Sequence, residues 1–244
     1  MTLALAQFPK VAIPVHSPEA EFDPAEAETI VGGLSSPSKM PCYSTSISAW
    51  RCGVGSALAQ VKGSTCEGCY ARKGCYNYPN TKNAMERRYI ALADPRWVAA
   101  MAFVIMAKTF PLRGRKPAVP FFRWHDSGDL QSVSHLRNIV TVAILTPGVS
   151  HWIPTREYGI VRKYLAEYGP FPANLTVRVS AAMIDGSAPA DFPVTSEVVA
   201  SDAARDAAVA RGASICPAPT QGNECRDCRA CWNREVATVA YWKH

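Results

Sequence analysis

The chain has no run of about 18 or more apolar residues, the length a helix needs to cross a bilayer, so no membrane span is expected. Its opening, MTLALAQFPKVAIPVH, lacks a basic stretch ahead of the apolar residues and carries two prolines, so it does not read as a secretory signal. Internal repeats are absent as well. The expected compartment is therefore the cytoplasm, where thiols stay reduced and disulfides are rare. Nine cysteines in such a chain need another use, and metal binding is the first to consider.

The 244 residues suffice for one large or two small domains, and an apolar share of 48% argues against global disorder. With 26 basic and 20 acidic side chains, the net charge is +6, a weak pointer to nucleic acid. The charge is unevenly spread. Glu19, Glu21, Asp23, Glu26 and Glu28 make the start acidic, whereas Arg51, Lys62, Arg72, Lys73, Lys82, Arg87 and Arg88 surround cysteines. A polyanion would be drawn to the second region first.

Residues 1–38, rich in Ala, Pro, Glu and Ser, read as an N-terminal arm or packed extension, and 39–244 as a single domain. Within that domain, 39–89 is loop-rich. Helices are expected over Asn83–Leu92 and from Pro95 to about Thr109. A strand-helix rhythm follows, with strands at Val119–His125, Ser150–Pro154, Leu175–Ala181, Glu197–Ala200 and Ser214–Cys216. Helices are expected over Ser132–Leu145, Tyr158–Tyr168, Ala203–Arg211 and Asp227–Trp242. Such alternation predicts an α/β fold built on a parallel sheet. The count suits a partial or small βα barrel, because a full eight-fold barrel typically takes about 250 residues. Cysteine-rich, metal-binding loop regions are expected at both ends of that core.

The C-terminal cysteines, Cys216-x8-Cys225-x2-Cys228-x2-Cys231, place four soft ligands within sixteen residues. Cys-x2-Cys spacing lets two sulfurs from one tight turn reach one metal, and both zinc and a 4Fe-4S cluster accept four thiolates. His244 is an alternative ligand there. The N-terminal set is Cys52-x13-Cys66-x2-Cys69. Three thiolates on a 4Fe-4S cluster leave one iron open for a substrate or cofactor, whereas a zinc knuckle would only fold the loop. Cys42 is the next candidate ligand of this set, and Cys75 is as readily a free thiol.

HDSGDLQ, His125–Gln131, follows the first expected strand and offers His125, Asp126 and Asp129 for acid–base work or as a carboxylate nucleophile. The bland alternative is a helix cap by Asp129. The next strand ends in IPTRE, where Arg156 can clamp a carboxylate or phosphate, or pair with Asp126 or Asp129. Thr155 and Ser180 lie at comparable strand ends, where barrels keep their chemistry. His135 and His151 read as structural.

The stretches SKMPCYSTSISAWRC, CEGCYARKG, FRWHDSGDLQ, WIPTRE, VRVSAA and CPAPTQGNECRDCRACW together resemble a cysteine-rich family encoded largely by bacteriophages, over roughly residues 38–235. That family in turn resembles radical S-adenosylmethionine enzymes, partial βα barrels whose three-cysteine 4Fe-4S site lies in a loop at the barrel's start. Cys66-x2-Cys69-Tyr70-Ala71 resembles the end of their motif. A weaker resemblance is to tRNA-guanine transglycosylases and the phage enzymes that insert deazaguanines into DNA. Their catalytic aspartates, Pro-Thr-Arg stretch and C-terminal metal site would correspond to Asp126 or Asp129, Pro154–Arg156 and Cys216–Cys231.

The first resemblance implies an iron–sulfur enzyme modifying nucleic acid, specifically phage DNA bases, in the host cytoplasm. Cys52, Cys66 and Cys69 would hold the reactive cluster, with S-adenosylmethionine as co-substrate. Cys216, Cys225, Cys228 and Cys231 would hold an auxiliary cluster or zinc, and His125, Asp126, Asp129 and Arg156 would line the pocket. A base flipped from a duplex would stack on Tyr70, Tyr76 or Trp124. The rivals are base exchange by an aspartate with structural metal only, and a metal-stapled nucleic-acid-binding protein without catalysis.

Overall fold

The computed structural model describes residues 22–110 and 119–243. The first part of the expected arm, the candidate ligand His244 and the residues joining the fourth helix to the first strand lie outside these.

Helix α1 (Pro24–Val31) starts where the Asp23 side chain accepts from the backbone N–H groups of Ala25 and Glu26, and it ends at Gly32 in the left-handed conformation. Its Ala27, Ile30 and Val31 are buried against α4 (Trp97–Thr109), so the described part of the N-terminal segment packs on the core. Between them lie the short α2 (Val54–Leu58), inside the cysteine loop, and α3 (Pro79–Ala91). Helix α3 begins before the expected Asn83 because Pro79 stands at its first turn, where the missing N–H has no intrahelical partner to lose.

The alternating part follows as β1 (Phe121–Arg123), α5 (Val133–Leu145), β2 (Ser150–Thr155), α6 (Tyr158–Tyr168), β3 (Leu175–Ile184), β4 (Thr195–Val199), α7 (Asp202–Ala210), β5 (Ser214–Ile215) and β6 (Thr238–Trp242). The strands form one sheet in the order β1-β2-β3-β4-β6-β5, every pair parallel, curled as a half barrel. The expected α/β half barrel is therefore present. Ser132 caps α5, its hydroxyl accepting from the His135 N–H, so Asp129 is released from the capping role.

The expected helix over Asp227–Trp242 is not formed. A short turn of 3-10 helix, Ala230–Trp232, carries the last cysteine, and β6 then slots between β4 and β5. Thr238, Val239, Tyr241 and Trp242 are β-branched or aromatic, the types that fit a pleated surface.

Residues alternate across the sheet. Phe122, Ile153, Leu175, Val177 and Val179 face α4, α5 and α6 and build the main core. Phe121, Trp152 and Tyr241 face the opposite, inner side together with Cys42, Cys231 and Trp232. Helices cover the outside of the half barrel, and the C-terminal cysteine segment covers its inside.

Candidate functional site

The N-terminal cysteines are seated at the C-terminal ends of β2 and β3. Strand β3 runs on past its last pairing with β2, bulging against β4 between Ser180 and Ile184, and the cysteine loop docks on that overhang. Thr65 donates its N–H to the Ala182 carbonyl at 2.9 Å and Ser64 bridges to Met183. On the other flank, buried Glu157, just past β2, accepts from the Val54 N–H at 2.8 Å and holds the start of α2. The buried Ser64 hydroxyl accepts from the N–H groups of Cys66 and Glu67, and Cys69 N–H bonds the Cys66 carbonyl at 3.2 Å, closing the tight turn that Cys-x2-Cys spacing requires.

Cys52 and Cys66 point at a common place, since a β-carbon added at Gly55 would lie 3.6 Å from each sulfur. Burial pushes the Cys52 thiol up to about 12, with Asp129, Cys69 and Cys66 adding to the rise and Arg72 opposing it. Cys66 is raised for the same first reason, and Arg156 opposes the rise. Cys52, Cys66, Cys69, Asp129 and Arg156 thus form one electrostatic neighbourhood.

Asp129 is buried with both oxygens engaged. Oδ1 accepts from Thr155 Oγ1 at 2.6 Å and from the Leu130 N–H at 2.8 Å, and Oδ2 accepts from the Arg156 N–H at 2.9 Å. Burial lifts its carboxyl to about 6 despite these bonds. The arrangement ties the β1 loop to the end of β2 and sets Arg156. The Arg156 guanidinium does not pair with either aspartate; its Nε donates to the Ala181 carbonyl at 3.3 Å, and the group stands half-buried beside Cys66.

Asp126 is half-buried, with Oδ1 inaccessible and unpartnered, and burial raises its carboxyl while Arg123 and Arg88 oppose the rise. His125 adopts φ 56° and packs edge-on against His135, not toward the thiols; burial lowers its imidazole far below the usual range, so it stays neutral. His151 bonds Thr146 at 2.7 Å and stacks on Trp124, a structural role as expected. Trp124 itself is wholly buried, which removes it as a platform for a base, whereas Tyr70 is exposed. Ser180 is buried too, accepting from Ser196 Oγ at 2.9 Å.

The second cysteine group lies on the inner face of the sheet. Cys216 follows β5, Cys228 N–H bonds the Cys225 carbonyl at 2.9 Å, and Cys231 Sγ lies 3.1 Å from the Tyr241 hydroxyl. Cys42 belongs here and not with Cys52. Its thiol is pushed up to about 12, first by burial, with Cys225 adding to the rise and Arg123 and Arg229 lowering it. The reason is topological. Residues 43–45 run beside β1, bonding both the N–H and the carbonyl of Arg123, so Cys42 sits at the inner face and Cys52 at the mouth. Cys75 is exposed and stands apart from both groups.

Two residues that sequence reasoning missed hold this group. Arg178, fully buried on β3, donates to the carbonyls of Ala230 and Asn233 at 3.1 Å and to Thr195 and Val236 at 2.8 and 3.0 Å. Arg123 lies over the Trp152 ring, 4.7 Å from its centre, with Nε unpartnered. Neither joins an ion pair among the described residues. The only signal in the sequence was a charged residue inside an otherwise apolar strand, VRVSAA and FFRW.

Among the described residues, no three His, Cys, Asp or Glu side chains converge closely enough to hold a single metal ion as placed. Binding one ion would require the thiols to draw together.

The family described as Gene product 88 matches residues 18–234. No curated protein and no solved structure matches.

Proposed function

The chain belongs to the Gene product 88 family, and we propose that it is an iron–sulfur enzyme acting on nucleic acid. One observation carries the reading: the loop bearing Cys52, Cys66 and Cys69 docks at the strand ends of a half barrel, near Asp129 and Arg156. Strand ends are where barrels keep their chemistry. Three thiolates suit a cluster with one open position, and when bound such a cluster supplies single-electron chemistry to whatever occupies it. Gly55 leaves room between two of the thiols. Asp129, through its bond to the Arg156 N–H, orients a guanidinium that can take a carboxylate or phosphate bidentately. S-adenosylmethionine, with its carboxylate, is the co-substrate we favour.

The C-terminal four, with Cys42 as a fifth thiol, would hold a second metal centre, an auxiliary 4Fe-4S cluster or zinc. Buried Arg178 supports it, with half-buried Arg123 on the same face. Burying a cation without a counter-charge is costly, and a centre of four thiolates carries net negative charge at that place. We further infer a phage setting, with the host cytoplasm as workplace; no helix of the described residues is long and apolar enough to cross a membrane.

The aspartate-exchange reading gains no support from the geometry, because Asp129 spends both oxygens on the fold and the Asp126 Oδ1 is shut off from solvent.

The test is anaerobic purification followed by a visible spectrum and counts of iron, zinc and sulfide. We expect a brown protein with about eight irons per chain, or about four irons with one zinc, and reductant-dependent cleavage of S-adenosylmethionine. A colourless protein holding zinc alone would overturn the reading. Iron without any cleavage would remove the co-substrate assignment only.

A further inference from the structure

The segment between Ala49 and Leu92 holds seven Lys or Arg residues and two Glu. Of the two acids, Glu86 is engaged by Arg51 at 2.7 Å. Lys62, Lys73, Lys82 and Arg87 are exposed and join no ion pair among the described residues. The same segment keeps large aromatic rings in water: Trp50 is 64%, Tyr78 63% and Tyr70 54% exposed. Rings of this size normally bury most of their area, and exposed ones in a single basic segment point to an interaction site.

Trp50 borders a groove of about 350 Å³, lined also by Ser48, Tyr76, Lys82, Asn83 and Glu86. Trp50 is held ready at its edge. The Arg72 guanidinium lies 4.5 Å from the Trp50 ring centre and is itself fixed by the Ala49 carbonyl at 3.2 Å and Ser56 Oγ at 2.6 Å. Tyr78 precedes α3, the helix that supplies Lys82, Asn83 and Glu86 to the groove.

Exposed rings between unpaired cations suit one partner above others. A single strand of nucleic acid presents unstacked base faces to the rings and phosphates to the cations, whereas a duplex hides its base faces. We propose that this face binds a single strand of nucleic acid, with bases on Trp50 and Tyr78 and phosphates at Lys82 and its neighbours. The proposal deepens the nucleic-acid reading above and rests on it for the claim that the strand is substrate. Trp50 stands two residues before Cys52, and Tyr70 directly follows Cys69, so the binding face and the thiols share the same loops.

The test uses the full chain and a fluorescent 20-nucleotide oligodeoxythymidine, with anisotropy read between 50 and 200 mM salt and iron counted on the same preparation. About four phosphate contacts, each giving a slope near −0.7 for single strands, should weaken binding on the order of 50-fold over that range. Trp50→Ala or Tyr78→Ala should each weaken binding on the order of tenfold without changing the salt slope. Lys82→Gln should lower the slope by about one contact. A duplex of equal length should bind more weakly, and an oligouridine of equal length tells an RNA from a DNA source. Salt-independent binding, no binding, or full binding by a folded Trp50→Ala/Tyr78→Ala protein would overturn the proposal. Protein loaded with iron that ignores the oligonucleotide loses this face and keeps the cluster reading; protein that binds it without iron does the reverse.

Discussion

Arg178 is a cation with no exposed surface, satisfied by backbone carbonyls on either side of the last cysteine. Replacing it with Met removes the cation but leaves those carbonyls unpaired. We expect Arg178→Met to lose about 3 kcal/mol or more in urea denaturation and to lower metal retention at Cys231; an unchanged midpoint would sink the stapling role. The buried histidines make a second case. Burial lowers His135 from 6.5 to about 4 and His151 to about 3. Both stay neutral in the fold while the unfolded chain takes up protons below about pH 6.5. Stability is therefore full above that pH and falls as pH drops toward 4 and then 3, by roughly 3 kcal/mol for His135 alone by about pH 4. Asp129, raised from 3.8 to about 6, runs the other way, favouring the fold as pH falls through that window, and the two histidines outweigh it. Melting temperature should thus drop between pH 6.5 and 4, and His151→Gln should flatten the curve. A melting temperature level across that range would count against the account.

Among elements, the turn at Gly128 is the least tolerant. Its φ is 84°, and a β-carbon there would stand 2.3 Å from Ile47 Cγ1 and 2.8 Å from the Ile47 carbonyl oxygen. Gly128→Ala should cost about 2–4 kcal/mol, read by denaturation, because both strain and clash oppose it. The elements also show how far the sequence is readable. Strand β2 and helix α6 lie close to where the sequence puts them, because the Pro147-Gly148 turn and the Gly169 stop bound them and α6 keeps one wet side. Strand β6 reads as helix in the sequence because its two faces are both covered: Val239 and Ala240 are buried and Tyr241 packs beneath Cys231. A strand buried on both faces is apolar throughout and loses its period of two. Cys42 was grouped with Cys52 because the two are ten residues apart, but an extended segment beside β1 carries them to different ends of the sheet. Spacing reveals which cysteines share a turn; pairing across the sheet decides which turns share a site.

At the level of the whole molecule, the two cysteine groups differ in what depends on them. The first lies in a loop on a strand overhang, while the second lies in the segment that lines the inner face, with Trp232 donating to the Phe122 carbonyl at 2.9 Å and packing on Trp152. Binding energy of a structural metal is folding energy. On the cluster reading proposed above, Cys66→Ser should remove bound iron with a melting temperature close to that of the unaltered protein. Cys231→Ser should lose cooperative unfolding, as should chelation of the second centre. Equal losses of stability in both variants would contradict this division.

The insertion of β6 between β4 and β5 also constrains the order in which the protein can assemble during synthesis. Among the described residues, strand β5 pairs in the sheet with β6 alone, and β4 has β6 as its outer neighbour. When residues 214–215 leave the ribosome, helix α7 lies beside them, but the slot of β6 still separates them from β4 in the sheet. The edge of β4 must wait, unpaired, until residues 238–242 emerge. An exposed parallel edge is a template for misassociation. The nascent chain is thus most vulnerable while its last cysteines are being made, and early metal capture by those thiols would shorten that interval.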